Sequence, residues 1–206
     1  MNNLIIGGIA FPWLDKPGFF VLVKTEEDKE NPITPWKFQV IEEGSDHNLP
    51  SLFKRCLDKS MGEKPPQWYG NALNKSIMDL VYRSVPHLDK MSFSPAPYIE
   101  EHDCTVMYLH IIKEMNQRNK VFWFGEDSQL PRELRGYDKS NVRPIQESPP
   151  IAALAYVSAV LYLWLQKEGE GRKKKTDAER IIDAVLTDTA TENDFPYGEE
   201  EIGGFW

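Results

Sequence analysis

The sequence predicts an α/β domain: a mixed sheet whose first three strands are antiparallel neighbours, continued by alternating helices and strands that put helices on both faces. Three features lead there. Apolar runs near the N-terminus are separated by turn residues, and apolar residues then recur at helical spacing between shorter apolar runs. Later, Ile151 to Leu165 is apolar on every face. A helix of that kind must be buried on all sides, so the other elements are expected to cover it.

In chain order, Leu4 to Phe11 is an apolar run suited to a buried strand, Pro12 to Gly18 is turn chemistry, and Phe19 to Lys24 is a second strand completing a hairpin. Thr25 to Pro35 is charged and bounded by proline, an exposed connection. Trp36 to Ile41 alternates, with Trp36, Phe38 and Val40 on one face, and gives the third strand. Asp46 or Asn48 opens a helix with Pro50 in its first turn; Leu49, Leu52, Phe53, Cys56 and Leu57 recur at helical spacing until Gly62 and Pro65-Pro66. Gln67 to Tyr69 is a short strand. A second helix from Asn71 to Arg83 takes Leu73, Ile77, Leu80 and Val81 as its core stripe. Pro86 to Pro97 is a loop holding a brief strand at Met91 to Ser94.

A third helix has Glu100, Glu101 and Asp103 in its first turn and Lys113 and Arg118 near its end, the order that the helix dipole favours. Met107, Ile111 and Ile112 supply its burial. Lys120 to Gly125 is the strand of the second half, and Glu126 to Glu147 is a long polar connection. Ser148 caps the apolar helix, with Pro149 and Pro150 in its first turn, where their missing N–H groups need no partner. At about 1.5 Å per residue, Ile151 to Leu165 spans roughly 22 Å, short of the roughly 30 Å core of a bilayer, so a buried helix is expected and not a membrane span.

After Gln166 the composition changes. Lys167 to Lys175 reads as a basic linker containing Arg172, Lys173, Lys174 and Lys175; Thr176 to Glu179 is a capping box for a short helix to Leu186; Ala190 to Trp206 is acidic and ends on Phe205 and Trp206. The expected division is a domain at 1–166, a linker at 167–175 and a short helix and tail at 176–206. The net charge of −8 over 206 residues argues against coating nucleic acid by bulk electrostatics, though a local basic contact is compatible with it. Cys56 and Cys104, with no repeated spacing, suggest no disulfide framework, and the N-terminus lacks the basic region of a signal peptide. Cytoplasm is the expected location.

Three antiparallel strands followed by alternating helices and strands match the ribonuclease H-like fold. More specifically, the chain resembles the nuclease domain of the large terminase subunits of tailed phages. In that family the last core helix opens with acidic residues and a motif of the form Asp-Ala-Leu-Ala-Tyr. Here Ala152-Ala153-Leu154-Ala155-Tyr156 keeps its last four letters, and Lys113 to Gly125 and Leu130-Pro131-Arg132-Glu133-Leu134 are similar to the segments before it.

The resemblance implies a nuclease that holds two divalent metal ions between carboxylates on the first strand, at the end of the fourth and at the start of the last helix. In this sequence those positions fall near Ala10, near Tyr69-Gly70, and at Pro149, Pro150 or Ala152. None is acidic. The implied function is therefore a non-catalytic terminase-nuclease-like module of phage or prophage type with a degenerate active site, needing no cofactor. DNA or a phage assembly protein would be its partner, with Arg172 to Lys175, Phe205 and Trp206 as contacts. An alternative is an active Mg- or Mn-dependent endonuclease using relocated acids: Asp15, Glu42, Glu43, Asp46 and Glu147, with Glu126 and Asp127 nearby. A further alternative is an unrelated α/β protein-interaction domain. His102, Asp103, Cys104 and His110 lack zinc-ligand spacing, a Cys56–His47 pair has no third partner, and no Gly-rich phosphate loop is present.

Overall fold

Apolar alternation builds the sheet and helical periodicity covers it. The computed structural model describes residues 4–27, 36–100, 104–119, 122–136 and 144–169. The strands are β1 (Ile5–Ala10), β2 (Gly18–Glu27), β3 (Trp36–Asp46), β4 (Gln67–Gly70), β5 (Phe93–Pro95) and β6 (Phe122–Trp123), in the order β5-β4-β1-β2-β3-β6. β2 runs antiparallel to β1 and β3, while β1 with β4, β4 with β5, and β3 with β6 are parallel. This order and these directions are those of a ribonuclease H-like sheet, with β6 added at the β3 edge.

Each face carries its own core. Ile6, Ala10, Val21, Val23, Phe38 and Val40 point towards α3 (Cys104–Asn119), α4 (Leu130–Gly136) and α5 (Pro149–Gly169). Ile9, Phe20 and Leu22 point the other way, towards α1 (Leu49–Ser60) and α2 (Lys75–Ser84). The period-two alternation of β1 and β2 thus fixes which helices lie on which side. Residues Ile151 to Ala159 of α5 are all buried. The helix lies against β1 and β2 on one side and α3 on another, and Tyr156 meets Tyr108 edge-on at 5.6 Å.

The structure departs from the sequence-based expectation at several elements. α5 runs 21 residues and is long and apolar enough to cross a membrane, so its burial within the domain, and not its length, accounts for its composition. α2 begins at Lys75 and not at Asn71, which leaves Leu73 before the helix and 39% exposed; the helix buries Met78 and Val81, while Leu80 is 56% exposed. The helix is rolled from the expected stripe towards Met78, which places Val81 and Val85 in the same core. The polar connection from 126 to 147 contains α4 and a 3-10 turn at Ile145–Glu147. Pro131 and Gly136 bound a seven-residue helix too short to show a period, held by buried Leu130 and Leu134. Glu100 lies in a turn before α3, while Glu101 and Asp103 lie outside the described residues.

β3 extends to Asp46, and its register with β2 shifts between Leu22 and Val23, which pair with Glu42 and Val40 respectively. Ile41 is the extra residue of this bulge and is 42% exposed. A bulge reverses the alternation beyond it. That reversal decides where the acids of β3 point.

Candidate functional site

The end of the sheet where β1 and β4 finish is the place to look for chemistry. Ile9 pairs with Gly70, so the two strands end side by side. α5 crosses β1 at Gly8, where a Cβ would collide with the backbone carbonyl of Ala153. The start of α5 is brought to the same end, because Lys16 Nζ in the β1–β2 hairpin donates to the Glu147 carbonyl oxygen at 2.5 Å, just before the helix begins. The three positions at which the family resemblance implies carboxylates therefore lie at one end of the sheet.

The residues there do not fit a divalent metal. Ala10, Gly70, Pro149, Pro150 and Ala152 offer no side-chain oxygen, whereas hard cations take oxygen ligands. Ala10, Pro149 and Ala152 are buried. The Gly70 carbonyl already accepts the N–H groups of Ala72 and Ala96, both at 2.9 Å. A Cβ at Gly70 would meet the Ile9 carbonyl and stand 3.1 Å from the Phe93 ring, so the local packing also has no room for an acid.

The candidate acids are placed apart. Asp15 is exposed in the two-residue tip between Trp13 and Lys16, whose backbones bond each other in both directions. Leu14 beside it has φ 52° and is 90% exposed. Beyond the bulge, Glu42 faces α1 and pairs with Lys59 at 2.7 Å. Glu43 faces the opposite side, where it accepts from Ser128 Oγ at 2.8 Å and from the Gln129 N–H at 2.7 Å, capping α4. Asp46 accepts from the Asn48 N–H at 2.8 Å and from Ser51 Oγ at 2.6 Å, at the start of α1. The Ser51 hydroxyl first, and then the Asn48 amide, hold the Asp46 carboxyl below the usual carboxylate range.

Glu147 meets the site end through its backbone. Glu126 and Asp127 form an exposed turn after β6. Among the described residues, no group of three His, Cys, Asp or Glu side chains is placed to hold a metal ion. Capping and pairing thus engage Glu42, Glu43 and Asp46, with Glu42 and Glu43 on opposite faces of the sheet.

Other groups have structural settings. Burial raises the Cys56 thiol well above its ordinary value, the reverse of what a nucleophile needs. His110 and Glu114, four residues apart on α3, approach to 3.9 Å. Burial also pushes the Tyr108 and Tyr156 phenols up, and Tyr108 donates its hydroxyl to the Pro97 carbonyl. The tyrosine of the Ala-Leu-Ala-Tyr segment is therefore a core residue. Lys16 is the residue that sequence patterns do not reveal, since nothing local marks a lysine in a turn. Arg172 to Lys175, Phe205, Trp206 and the predicted 176–186 helix lie outside the described residues.

No protein-family model matches the chain, and no curated protein matches it either. Among solved structures it is similar to the nuclease domain of the large terminase of bacteriophage SPP1, determined with bound manganese. That similarity has a TM-score of 0.47 at 15% identity and covers 77% of this chain and 86% of the other. By its own strand order and directions, the chain has a ribonuclease H-like α/β fold.

Proposed function

We propose that this domain is a non-catalytic, terminase-nuclease-like module of phage or prophage type that acts in the cytoplasm by binding or assembly. DNA or a phage assembly protein is its proposed partner. One observation carries the reading: Ala10, Gly70 and Pro149 stand at the sheet end where nucleases of the resembled family place metal-binding carboxylates. Without those oxygens the site has no means of fixing two cations around a phosphodiester. The engaged state of Glu42, Glu43 and Asp46 supports the same reading, since each already answers a partner elsewhere.

A plasmid-nicking assay with magnesium or manganese tests it. The expected result is no metal-dependent conversion of supercoiled to nicked plasmid. Cleavage that requires metal and disappears in Glu42→Ala or Glu147→Ala would sink the proposal and establish a nuclease built on relocated acids.

A further inference from the structure

We infer that Lys16 serves as a built-in cation that fastens the start of α5 to the β1–β2 hairpin, at an end of the sheet that takes no divalent metal. The chain enters α5 from the Ile145–Glu147 3-10 turn through Ser148, Pro149 and Pro150. The two prolines offer no N–H at this joint. The Glu147 carbonyl takes a donor from across the fold instead, the Lys16 ammonium, 131 residues away in sequence. The hairpin tip is itself held by the paired backbones of Trp13 and Lys16, so the ammonium is presented from a fixed base.

The Lys16 ammonium thus puts a cation at an end where a carboxylate site would gather acids, although Asp15 and Glu147 lie on the same two segments. A single positive group satisfies a carbonyl dipole, and the buried neighbours, Ala10, Pro149 and Ala152, bring no side-chain charge of their own. A divalent ion approaching here meets an ammonium, and among the described residues no three acidic, histidine or cysteine side chains are grouped to hold it. Lys16 is a positioning residue in this account: it acts on where α5 begins, through a contact that an exposed lysine elsewhere on the surface does not make.

The test compares the full chain with K16M and K16R by thermal melting and by amide hydrogen exchange, each with and without millimolar manganese. K16M keeps the length of the side chain and removes the charge. It is expected to melt about 2–4 °C lower and to exchange several-fold faster at the amides of residues 145–152, with β3 unchanged. K16R is expected to restore both readouts, and manganese to restore neither in K16M. Wild-type melting and exchange in K16M would overturn the inference, as would failure of K16R to rescue. Rescue of K16M by manganese, or manganese protection of 145–152 in the unmodified chain, would also overturn it by revealing a cation site at this end. These outcomes are separate from the nicking assay: cleavage would remove the non-catalytic reading and leave the Lys16 contact standing.

Discussion

Trp68 is fully buried on β4, and its indole N–H has to be answered inside the protein. Ser60, the last residue of α1, does so: it accepts from Trp68 Nε1 at 2.8 Å and donates its own hydroxyl to the Cys56 carbonyl at 2.9 Å. Ser60→Ala removes the acceptor and leaves a buried donor without one, which costs about 1–3 kcal/mol. Urea unfolding should show this as a lower midpoint at unchanged slope, and Ser60→Ala should cost less when made in a Trp68→Phe background, where no indole N–H is left unanswered. An unchanged midpoint in Ser60→Ala would contradict the assignment. At this scale the sequence is least legible. A serine at a helix end reads as solvated, and only the fold reveals that an indole reaches it. Glu42 and Glu43 are equally opaque, because the Ile41 bulge that decides which face each one takes has no local signature.

The joint between β1 and α5 is the strictest packing at the scale of elements. A methyl group at Gly8 would strike the Ala153 carbonyl and touch Val157, backbone and side chain of one helix. Gly8→Ala therefore cannot be absorbed by turning a side chain, and α5 must move off the sheet. A destabilisation of about 1–3 kcal/mol or more follows, measurable as a lower midpoint in denaturant and as faster exchange along both elements. A Gly8→Ala chain as stable as its parent would refute the close crossing. Much at this scale is legible in the sequence. β1, β2 and α5 declare themselves by unbroken apolar runs and β3 and α1 by their period, and Asn48 caps α1 through the Ser51 N–H as its position suggests. The α2 roll is hidden because Ile77, Met78, Leu80 and Val81 spread over more of the helix than is buried, so their spacing does not single out one face. α4 is hidden by its length, with a long-range cap from Glu43 replacing the local capping residue that would otherwise signal a helix start.

For the whole molecule, the question is how an acidic chain of net charge −8 would meet DNA. Under the proposed DNA role the contacts are local, and the run Arg172 to Lys175 is the densest basic stretch in the sequence. Binding measured across a salt series should weaken steeply. Replacing those four residues with glutamine should flatten the logarithmic slope by up to roughly 0.9 for each phosphate that is no longer neutralised. No binding even at low salt would instead favour a protein partner. Two separate cores, one on each side of a single sheet, account for why the general architecture is legible in the sequence while the site is not. Burial patterns repeat many times along the chain, whereas the site depends on how Ala10, Gly70, Lys16 and Pro149 meet in space.

The seating of α5 over Gly8 also bears on biosynthesis. β1 leaves the ribosome well before α5, the helix that covers its inner face and follows every other element of the described chain. Until then the β1–β2–β3 meander carries Ile6, Val21, Val23, Phe38 and Val40 on a face that α5 does not yet cover. Pairings so distant in sequence form slowly, and an exposed apolar sheet invites association with other nascent chains. Chaperone binding to ribosome-bound chains should therefore be strongest just before α5 is translated.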